Sequence, residues 1–337
     1  MEFFGLDIGS SNIKIVQLKK NKDKYQLTAF GSAPSTTKGL LSEAESDITA
    51  LAEVIKKLHK EIGIKTKNIA TALPQDQVFT RVITLPNLSN EEIESALQWE
   101  AEQYVPIPLS EVILTYEIVG KTKENNTENM ELLLAAAPKS LVEKTIQILK
   151  IAGFNPVSIE MEIIPIVRSL ISSDHQSVLV VDFGAKTTDL AVVEDGAIVL
   201  VHSIPTAGDA LTRAISLELG LEFSQSEAYK RSYGVDPEKL EGKIRTALKP
   251  ILNTIVNEIK KTIQFYNGRG RTIQRIILTG GGAALPEINT VFAKEFNLEV
   301  QIGDPFSRVV EDSLLSKIPT YNRALYSVAV GLAMKEI

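Results

Sequence analysis

The sequence is poor in several residue types that mark particular classes of protein. It contains no cysteine, which excludes disulfides and thiolate metal sites and is simplest to reconcile with a reducing compartment. Its formal net charge of -6 argues against a general nucleic-acid-binding protein. The N-terminal residues do not have the basic-then-apolar order of a signal peptide, and no apolar run approaches the ~20 residues of a membrane span. We therefore expect any membrane role to depend on a partner protein.

Histidine is also sparse. The three histidines are His59, His175 and His202, and their positions do not match the spacing of metal ligands. Three scattered histidines also give no basis for a Ser/His/Asp catalytic triad. We expect all three to be structural or solvated.

The sequence does contain an internal repeat. The segment GLDIGSSNIKIVQL begins at Gly5 and the segment VVDFGAKTTDL begins at Val180. Each copy reads as a strand, a tight turn and a returning strand, followed by a helical stretch, 47–63 after the first and 210–219 after the second. A chain of 337 residues is longer than one core usually supports, so the repeat predicts two lobes of similar fold that face each other.

The two turns share residues suited to binding phosphate. Aspartate, glycine and a polar residue recur at matched offsets, so that Asp7, Gly9 and Asn12 correspond to Asp182, Gly184 and Thr187. Glycine lets the backbone approach a phosphate chain, and the two acids are suited to hold Mg²⁺ directly or through its waters. Further candidate phosphate-binding residues are Ser10, Ser11, Lys14, Lys186 and Thr188. A single D-x-G turn could be an ordinary β-turn, but two matched copies favour a phosphate clamp.

A third glycine-rich segment lies near the C-terminus. Gly280, Gly281, Gly282 and Ala283 follow a predicted buried strand and precede a predicted helix. Glycines there would let a flat ring or a ribose lie against the backbone, although a lone glycine cluster is a weak signal. The chain contains neither G-x-G-x-x-G nor G-x-x-x-x-G-K-[ST], which argues against classical dinucleotide and P-loop sites.

These three segments, in this order, resemble the actin-like ATPase superfamily over essentially the whole chain. The resemblance implies an α/β, actin-like (ribonuclease H-like) two-lobed fold that binds ATP or ADP with Mg²⁺. It also implies two helices joining the lobes, at 162–170 and 329–332. In relatives the residue matching Glu162 can position the attacking water, but the usual following proline is Ile163 here, so slow or absent hydrolysis is expected. Glu227 and Lys230 resemble a stretch that meets adenine and ribose, or else form an ordinary helix pair.

Residues 80–153 read as an inserted α+β subdomain. Ser89 and Glu92 have the spacing of a capping box at the start of a helix, and strands and a further helix follow. Its position resembles that of the subdomain inserted in the first lobe of the division protein FtsA. The expected organisation is a first lobe of residues 1–79 and 154–177, the insertion, and a second lobe of residues 178–337 whose last helix crosses back towards the first.

The phrase QWEAEQYVP, from Gln98 to Pro106, resembles the PilM family of type IV pilus assembly proteins. The resemblance implies a cytoplasmic ATP-binding scaffold at the inner membrane. It would be recruited by the N-terminal peptide of PilN, in a groove between the first lobe and the insertion, and contact other proteins of the pilus platform. Trp99 is a candidate for this groove, or else packs at the edge of its helix's apolar stripe.

Three alternatives remain at this stage. They are an FtsA-like division protein, a component resembling GspL of type II secretion, and a small-molecule kinase of the same superfamily. The C-terminal residues lack an amphipathic tail like that of FtsA or a transmembrane helix like that of GspL. A kinase would need an additional catalytic acid, for which we find no convincing candidate.

Overall fold

The computed structural model describes residues 1–336 except 23, 125–126, 173–175 and 269. The prediction for His175 therefore lies outside the described residues. The first sheet has the order β3-β2-β1-β4-β8. Its strands are β1 (Phe4–Ile8), β2 (Asn12–Asn21), β3 (Lys24–Pro34), β4 (Asn68–Leu73) and β8 (Asn155–Met161).

The second sheet repeats this topology. Its order is β11-β10-β9-β12-β13, so that β9 takes the central place that β1 has in the first sheet. In both sheets an antiparallel hairpin lies on one side of the central strand and two parallel strands lie on the other. The internal repeat predicted from the sequence is therefore a structural repeat. The strands are β9 (Val178–Phe183), β10 (Thr188–Glu194), β11 (Ala197–Ile204), β12 (Arg275–Thr279) and β13 (Glu299–Ile302).

Amphipathic helices cover the sheets. In α1 (Glu45–Ile62), apolar residues recur at helical spacing from Ile48 to Leu58 and are buried in the core of the first lobe. Within the described parts of the chain, no helix combines the length and apolar character needed to cross a bilayer. The second lobe contains α5 (Gly208–Leu219), α6 (Phe223–Tyr233), α7 (Lys243–Asn267), α8 (Ile288–Phe296) and α9 (Thr320–Arg323).

The inserted subdomain is a three-stranded sheet with one covering helix. Strands β5 (Phe79–Pro86), β6 (Val112–Glu124) and β7 (Thr127–Pro138) are ordered β5-β7-β6. Helix α2 (Asn90–Tyr104) packs on this sheet through Ile93, Leu97 and Ala101. The predicted capping box is confirmed, since the Ser89 N–H donates to Glu92 Oε2 at 2.9 Å.

The last helix of the predicted insertion packs on the first lobe. Helix α3 (Lys139–Ala152) falls within the predicted insertion of residues 80–153, yet it packs against α1. Its apolar stripe, which includes Leu141, Ile148 and Leu149, is buried in the core of the first lobe. The same core also contains Val119, Leu133 and Ala135 of the three-stranded sheet, so α3 joins the insertion to the first lobe and the boundary at residue 153 stays a prediction.

Two helices cross between the lobes, as expected. They are α4 (Ile163–Leu170) and α10 (Ser327–Ala333), and α10 also packs on β1. The crossing depends on Gly331, because a Cβ there would lie 1.8 Å from the carbonyl oxygen of Pro165. The last helix thus holds the two sheets in a fixed relation and brings their two turns to face each other.

Candidate functional site

A cavity of about 700 Å³ lies between the two lobes, and we call it the interlobe cavity. It is lined by both repeated turns, by the start of α4 and α5, by one face of α6 and by the glycine-rich segment after β12. Most of the predicted site residues meet here. They are Asp7, Gly9, Ser10, Ser11, Asn12, Lys14, Glu162, Asp182, Gly184, Lys186, Thr187, Glu227, Lys230, Gly280, Gly281 and Gly282.

The two turns have the same backbone construction. A Cβ on Gly9 would lie 2.7 Å from the Asn12 carbonyl oxygen, and one on Gly184 would lie 2.9 Å from that of Thr187. Both distances are too short for a real side chain, so each turn requires glycine. The two turns that were matched by sequence therefore also have the same close contact between a glycine and a backbone carbonyl oxygen.

The two hairpins differ in charge at one equivalent position. Across the first, Asp7 pairs in register with Lys14, whose Nζ lies 2.8 Å from Asp7 Oδ2. Burial alone would lower the pKa of Lys14, but the charge and the hydrogen bond of Asp7 outweigh it and hold that pKa above its usual value. Across the second hairpin, Asp182 pairs in register with Asp189, an acid with another acid.

The acids of the second hairpin hold their protons unusually well. Burial, with the nearby charges of Asp189 and Asp7, raises the pKa of Asp182 to about 7. Burial raises the pKa of Asp189 to about 6, against the opposing hydrogen bonds from Ser203 and Thr187. Burial and the surrounding carboxylates also raise the pKa of Glu162 well above its usual value. The cavity therefore brings several acidic side chains close together, and a cation bound among them would reduce their mutual repulsion.

The glycine-rich segment packs directly on the second turn. Gly280 has a φ of 78°, and a Cβ there would lie 2.3 Å from Asp182 Oδ1. A Cβ on Gly282 would lie 2.2 Å from the ring of Phe183. Gly281 is different, since its Cβ would meet only Leu325 at 3.8 Å. Two of the three glycines are thus required by contact with the second turn, which the sequence pattern does not reveal.

Glu227 and Lys230 form a pair and also line the cavity. Lys230 Nζ lies 2.6 Å from Glu227 Oε2, as an ordinary helix pair would. Lys230 is buried and also donates to the carbonyl oxygen of Gly208 at 2.8 Å and to Thr212 Oγ1 at 2.7 Å. This network connects α6 to the beginning of α5 at the cavity wall. The helix pair is confirmed, and the contact with adenine and ribose stays a prediction.

Three predicted contacts need correction. Thr188 is buried and its hydroxyl donates to the Thr206 carbonyl oxygen at 2.9 Å, so it does not face the cavity. Ala283 is likewise buried and is not among the residues that line the cavity. Gly184 lines it, but its N–H donates to the Thr187 carbonyl oxygen at 3.0 Å and closes the turn. The Thr188 hydroxyl and the Gly184 N–H, which the sequence assigned to phosphate, therefore bond backbone oxygens of the protein itself.

Three further residues of the cavity wall were not predicted from the sequence. Asp189 is buried between the two hydroxyls that donate to it, from Thr187 at 2.9 Å and from Ser203 at 2.5 Å. Phe223 and Tyr321 lie on separate elements and expose their rings at the cavity. Asp189 had a usable signal, because it stands opposite Asp182 in the predicted hairpin. The two aromatic residues had none, since they lie almost a hundred positions apart in the chain.

A second concavity, of about 410 Å³, lies where the inserted subdomain joins the lobes, and we call it the hinge groove. It is formed by residues 75–80, 105–107, 136, 138 and 201–203. Gln75 lines it, is 2% exposed, and has no hydrogen-bond partner for its carbonyl Oε1 among the described residues. A buried acceptor of this kind is costly unless a ligand donates to it.

Trp99 is not part of this groove. It is 66% exposed on α2 and is not among the residues that line the groove. Its exposure on α2 leaves it available to a partner, so its place in a partner surface stays a prediction.

The residues of the interlobe cavity fit Mg²⁺ only as part of a larger complex. Asp7 and Asp182 lie on facing turns and supply the oxygen ligands that Mg²⁺ favours. Among the described residues, however, no three Asp, Glu or His side chains form a group suited to hold a metal ion. This donor set suits an ion that is completed by waters and phosphate oxygens.

Comparisons with known proteins agree with this architecture. A family model described as "Type IV pilus assembly protein PilM" matches residues 5–337. A solved PilM-PilN type IV pilus biogenesis complex superposes with a TM-score of 0.87 at 27% identity, over 99% of this chain and 98% of that one. MreB 5 of Spiroplasma citri bound to AMPPNP gives a TM-score of 0.53 at 16% identity, over 98% and 94%. The cell division protein FtsA of Enterococcus hirae is 19% identical over 90% of this chain and 78% of its own length. The expected actin-like two-lobed fold is confirmed.

Proposed function

The chain belongs to the type IV pilus assembly PilM family, and from this premise we propose that it is an ATP-binding scaffold of the pilus assembly platform. In this proposal the interlobe cavity binds Mg-ATP or Mg-ADP, and the hinge groove binds the N-terminal peptide of PilN. The protein acts at the cytoplasmic face of the inner membrane because PilN and other platform proteins hold it there.

One observation carries the nucleotide proposal. Two copies of the same glycine turn face each other across a single cavity, each with an acid at the same position and polar residues beside it. Phosphate oxygens between the turns would accept from Ser10, Ser11, Asn12 and the backbone N–H of Thr187, while Lys14 and Lys186 supply positive charge. A volume of about 700 Å³ lies within the range of small-molecule and cofactor sites.

The proposal assigns Mg²⁺ to the side of the cavity that holds Asp7 and Asp182. The ion would supply positive charge among carboxylates that now repel one another. The ring and ribose would lie towards Glu227, Lys230 and the glycines 280–282, with Phe223 and Tyr321 available to contact the base.

We propose that the nucleotide stabilises the closed arrangement of the lobes and is hydrolysed slowly if at all. Glu162 is the one candidate to position a water, but it faces three other carboxylates and its pKa is raised. Burial and these charges disfavour the ionised form of Glu162, which is the form that could act as a general base. Binding would then shift the population of lobe positions and would not drive a rapid cycle.

The PilN proposal is supported by the hinge groove and by the similarity to a PilM-PilN complex. The groove offers apolar walls from Val78, Phe79 and Val105, together with the unpaired acceptor of Gln75. An extended peptide presents backbone N–H groups, one of which would satisfy this acceptor once the buried Gln75 side chain turns into the groove.

Isothermal titration calorimetry with Mg-ATP tests the nucleotide site. We expect saturable one-to-one binding, and loss of at least about tenfold in affinity for the Asp7→Ala, Asp182→Ala double variant, because two charged contacts are removed. Glu53→Ala, on the exposed face of α1, is the matched control and should bind normally. Normal affinity in the double variant would show that the nucleotide site is wrongly assigned.

Fluorescence anisotropy with a labelled N-terminal peptide of the PilN from the same organism tests the groove. Gln75→Leu keeps the approximate volume but removes the acceptor, and we expect about five- to tenfold weaker binding. Trp99→Ala is the control, since Trp99 lies outside the groove. If Trp99→Ala loses affinity and Gln75→Leu does not, the peptide binds on the exposed face of α2 and not in the hinge groove.

A further inference from the structure

The interlobe cavity and the hinge groove share a wall. Glu162 lines the interlobe cavity, and its Oε2 accepts the backbone N–H of Gln75 at 3.3 Å. Gln75 in turn lines the hinge groove. One hydrogen bond therefore connects a carboxylate on the first cavity to the backbone that positions the unpaired Gln75 acceptor in the second.

A second contact makes the same connection from the other lobe. Asp189 lines the interlobe cavity, and its two oxygens accept hydroxyl donors from opposite sides. Thr187, in the second turn, donates to Oδ2, whereas Ser203, in the hinge groove, donates to Oδ1. The Asp189 carboxylate thus accepts one hydrogen bond from a residue of the interlobe cavity and one from a residue of the hinge groove.

These two contacts are independent in the chain. Gln75 and Glu162 belong to the first lobe, and Asp189 and Ser203 to neighbouring strands of the second. Strand β11 also contacts β5 and β6 of the inserted subdomain and the turn that contains Gln75. The groove therefore lies directly behind the acids of the cavity, where the two lobes and the insertion meet.

We propose that Glu162 and Asp189 are positioning residues that couple the two cavities, so that Mg-nucleotide in one strengthens peptide binding in the other. This inference rests on the proposed function, because it takes both ligands from it. Coupling of this kind is reciprocal, so the peptide would strengthen nucleotide binding by the same factor.

The direction follows from electrostatics. Without a cation, Glu162 is repelled by Asp7, Asp182 and Asp189, and Asp189 also repels Asp182. A cation among these acids replaces repulsion by attraction and fixes the two carboxylates in place. The Gln75 N–H and the Ser203 hydroxyl then keep well-placed, charge-assisted acceptors, and the groove wall is ordered before the peptide arrives.

Hydrogen exchange tests the coupling without the peptide. We expect saturating Mg-AMPPNP to slow exchange at residues 75–80 and 201–203 by about threefold or more, because their hydrogen bonds open less often. If calorimetry shows no nucleotide binding, the proposed function fails and this inference fails with it. If nucleotide binds and exchange in the groove does not change, the coupling is wrong while the nucleotide site stands.

Peptide affinity tests whether the hydrogen bond from Ser203 to Asp189 carries the coupling. For each variant we define the coupling factor as the ratio of the PilN-peptide Kd without nucleotide to the Kd with saturating Mg-AMPPNP. We expect about fivefold or more for the wild type, a value near one third of that for Ser203→Ala, and recovery in Ser203→Thr, which restores the hydroxyl donor. Any direct effect of Ser203 on the peptide cancels in this ratio. A wild-type factor of one or below, or the same factor in Ser203→Ala as in the wild type, would overturn the proposal.

Discussion

Lys14 and Asp189 occupy equivalent positions in two copies of one hairpin and give the copies opposite electrostatics. Lys14 neutralises Asp7, its partner in register, whereas Asp189 adds a second negative charge beside Asp182. The first turn is therefore close to neutral without a ligand, while the second carries the excess charge. This asymmetry and the packing around it lead to specific expectations for stability and nucleotide binding.

Removing the cation from the first hairpin should destabilise the fold. In Lys14→Met, Asp7 is left buried without its charged partner, and we expect the free energy of unfolding to fall by about 3 kcal/mol. Lys14→Arg keeps the positive charge and should recover most of this loss. Chemical denaturation of the three proteins at pH 7.5 measures the effect. Equal stability of Lys14→Met and the wild type would mean that the pair contributes nothing.

Removing the charge from the second hairpin should have the opposite effect on stability. Asp182 has its pKa raised from 3.8 to about 7, so the folded state retains a proton that the unfolded state has already released. Its contribution to stability is complete below pH 3.8 and is lost as the pH rises towards 7. We therefore expect Asp182→Asn to stabilise the protein by on the order of 2 kcal/mol at pH 8, and by less at pH 5.5.

Urea denaturation at the two pH values tests this expectation. The same variant should bind Mg-ATP more weakly, because the acid is proposed to lie beside the ion. A stability difference that does not grow between pH 5.5 and pH 8 would show that Asp182 keeps an ordinary pKa.

Adjacent glycines after β12 should respond differently to alanine. A Cβ at Gly280 would lie 2.3 Å from Asp182 Oδ1 on a backbone with positive φ, whereas a Cβ at Gly281 meets only Leu325 at 3.8 Å. We expect Gly280→Ala to cost about 3 kcal/mol or to prevent folding, and Gly281→Ala to change stability by less than about 1 kcal/mol. Thermal melts of both variants decide this, and equal melting temperatures would contradict the packing described.

The crossing of α4 and α10 leads to a similar expectation. Gly331→Ala would place a methyl group 1.8 Å from the Pro165 carbonyl oxygen and should force the helices apart. We expect a lower melting temperature and, because the lobes no longer meet in the same way, weaker Mg-ATP binding. The control is Ala329→Gly on the same helix, which opens space and adds no clash. Normal nucleotide affinity in Gly331→Ala would mean that the crossing does not position the turns.

Much of the fold could be predicted from the sequence because its signals are local. The matched positions of Asp7 and Asp182 predicted the hairpins, and the spacing from Ser89 to Glu92 predicted the start of α2. The packing of α3 could not be found in this way. Its apolar stripe indicates that one face is buried, but the sequence does not say that α1 covers that face.

The site shows the same limit. Turn residues such as Gly9 were predictable, because a tight turn after a strand has a local sequence signature. The hydrogen bond between Glu162 and the Gln75 backbone joins positions 87 residues apart, and no local sequence pattern predicts a contact of that separation. Thr188 was misassigned for a related reason, since its hydroxyl bonds a backbone oxygen 18 residues away.

The most direct test of the nucleotide site is a crystal structure of the protein with Mg-AMPPNP. We predict that the phosphates lie between residues 10–12 and 185–187, with the ion on the side of Asp7 and Asp182. A nucleotide bound elsewhere, or bound in this cavity with its phosphates away from both turns, would contradict the account.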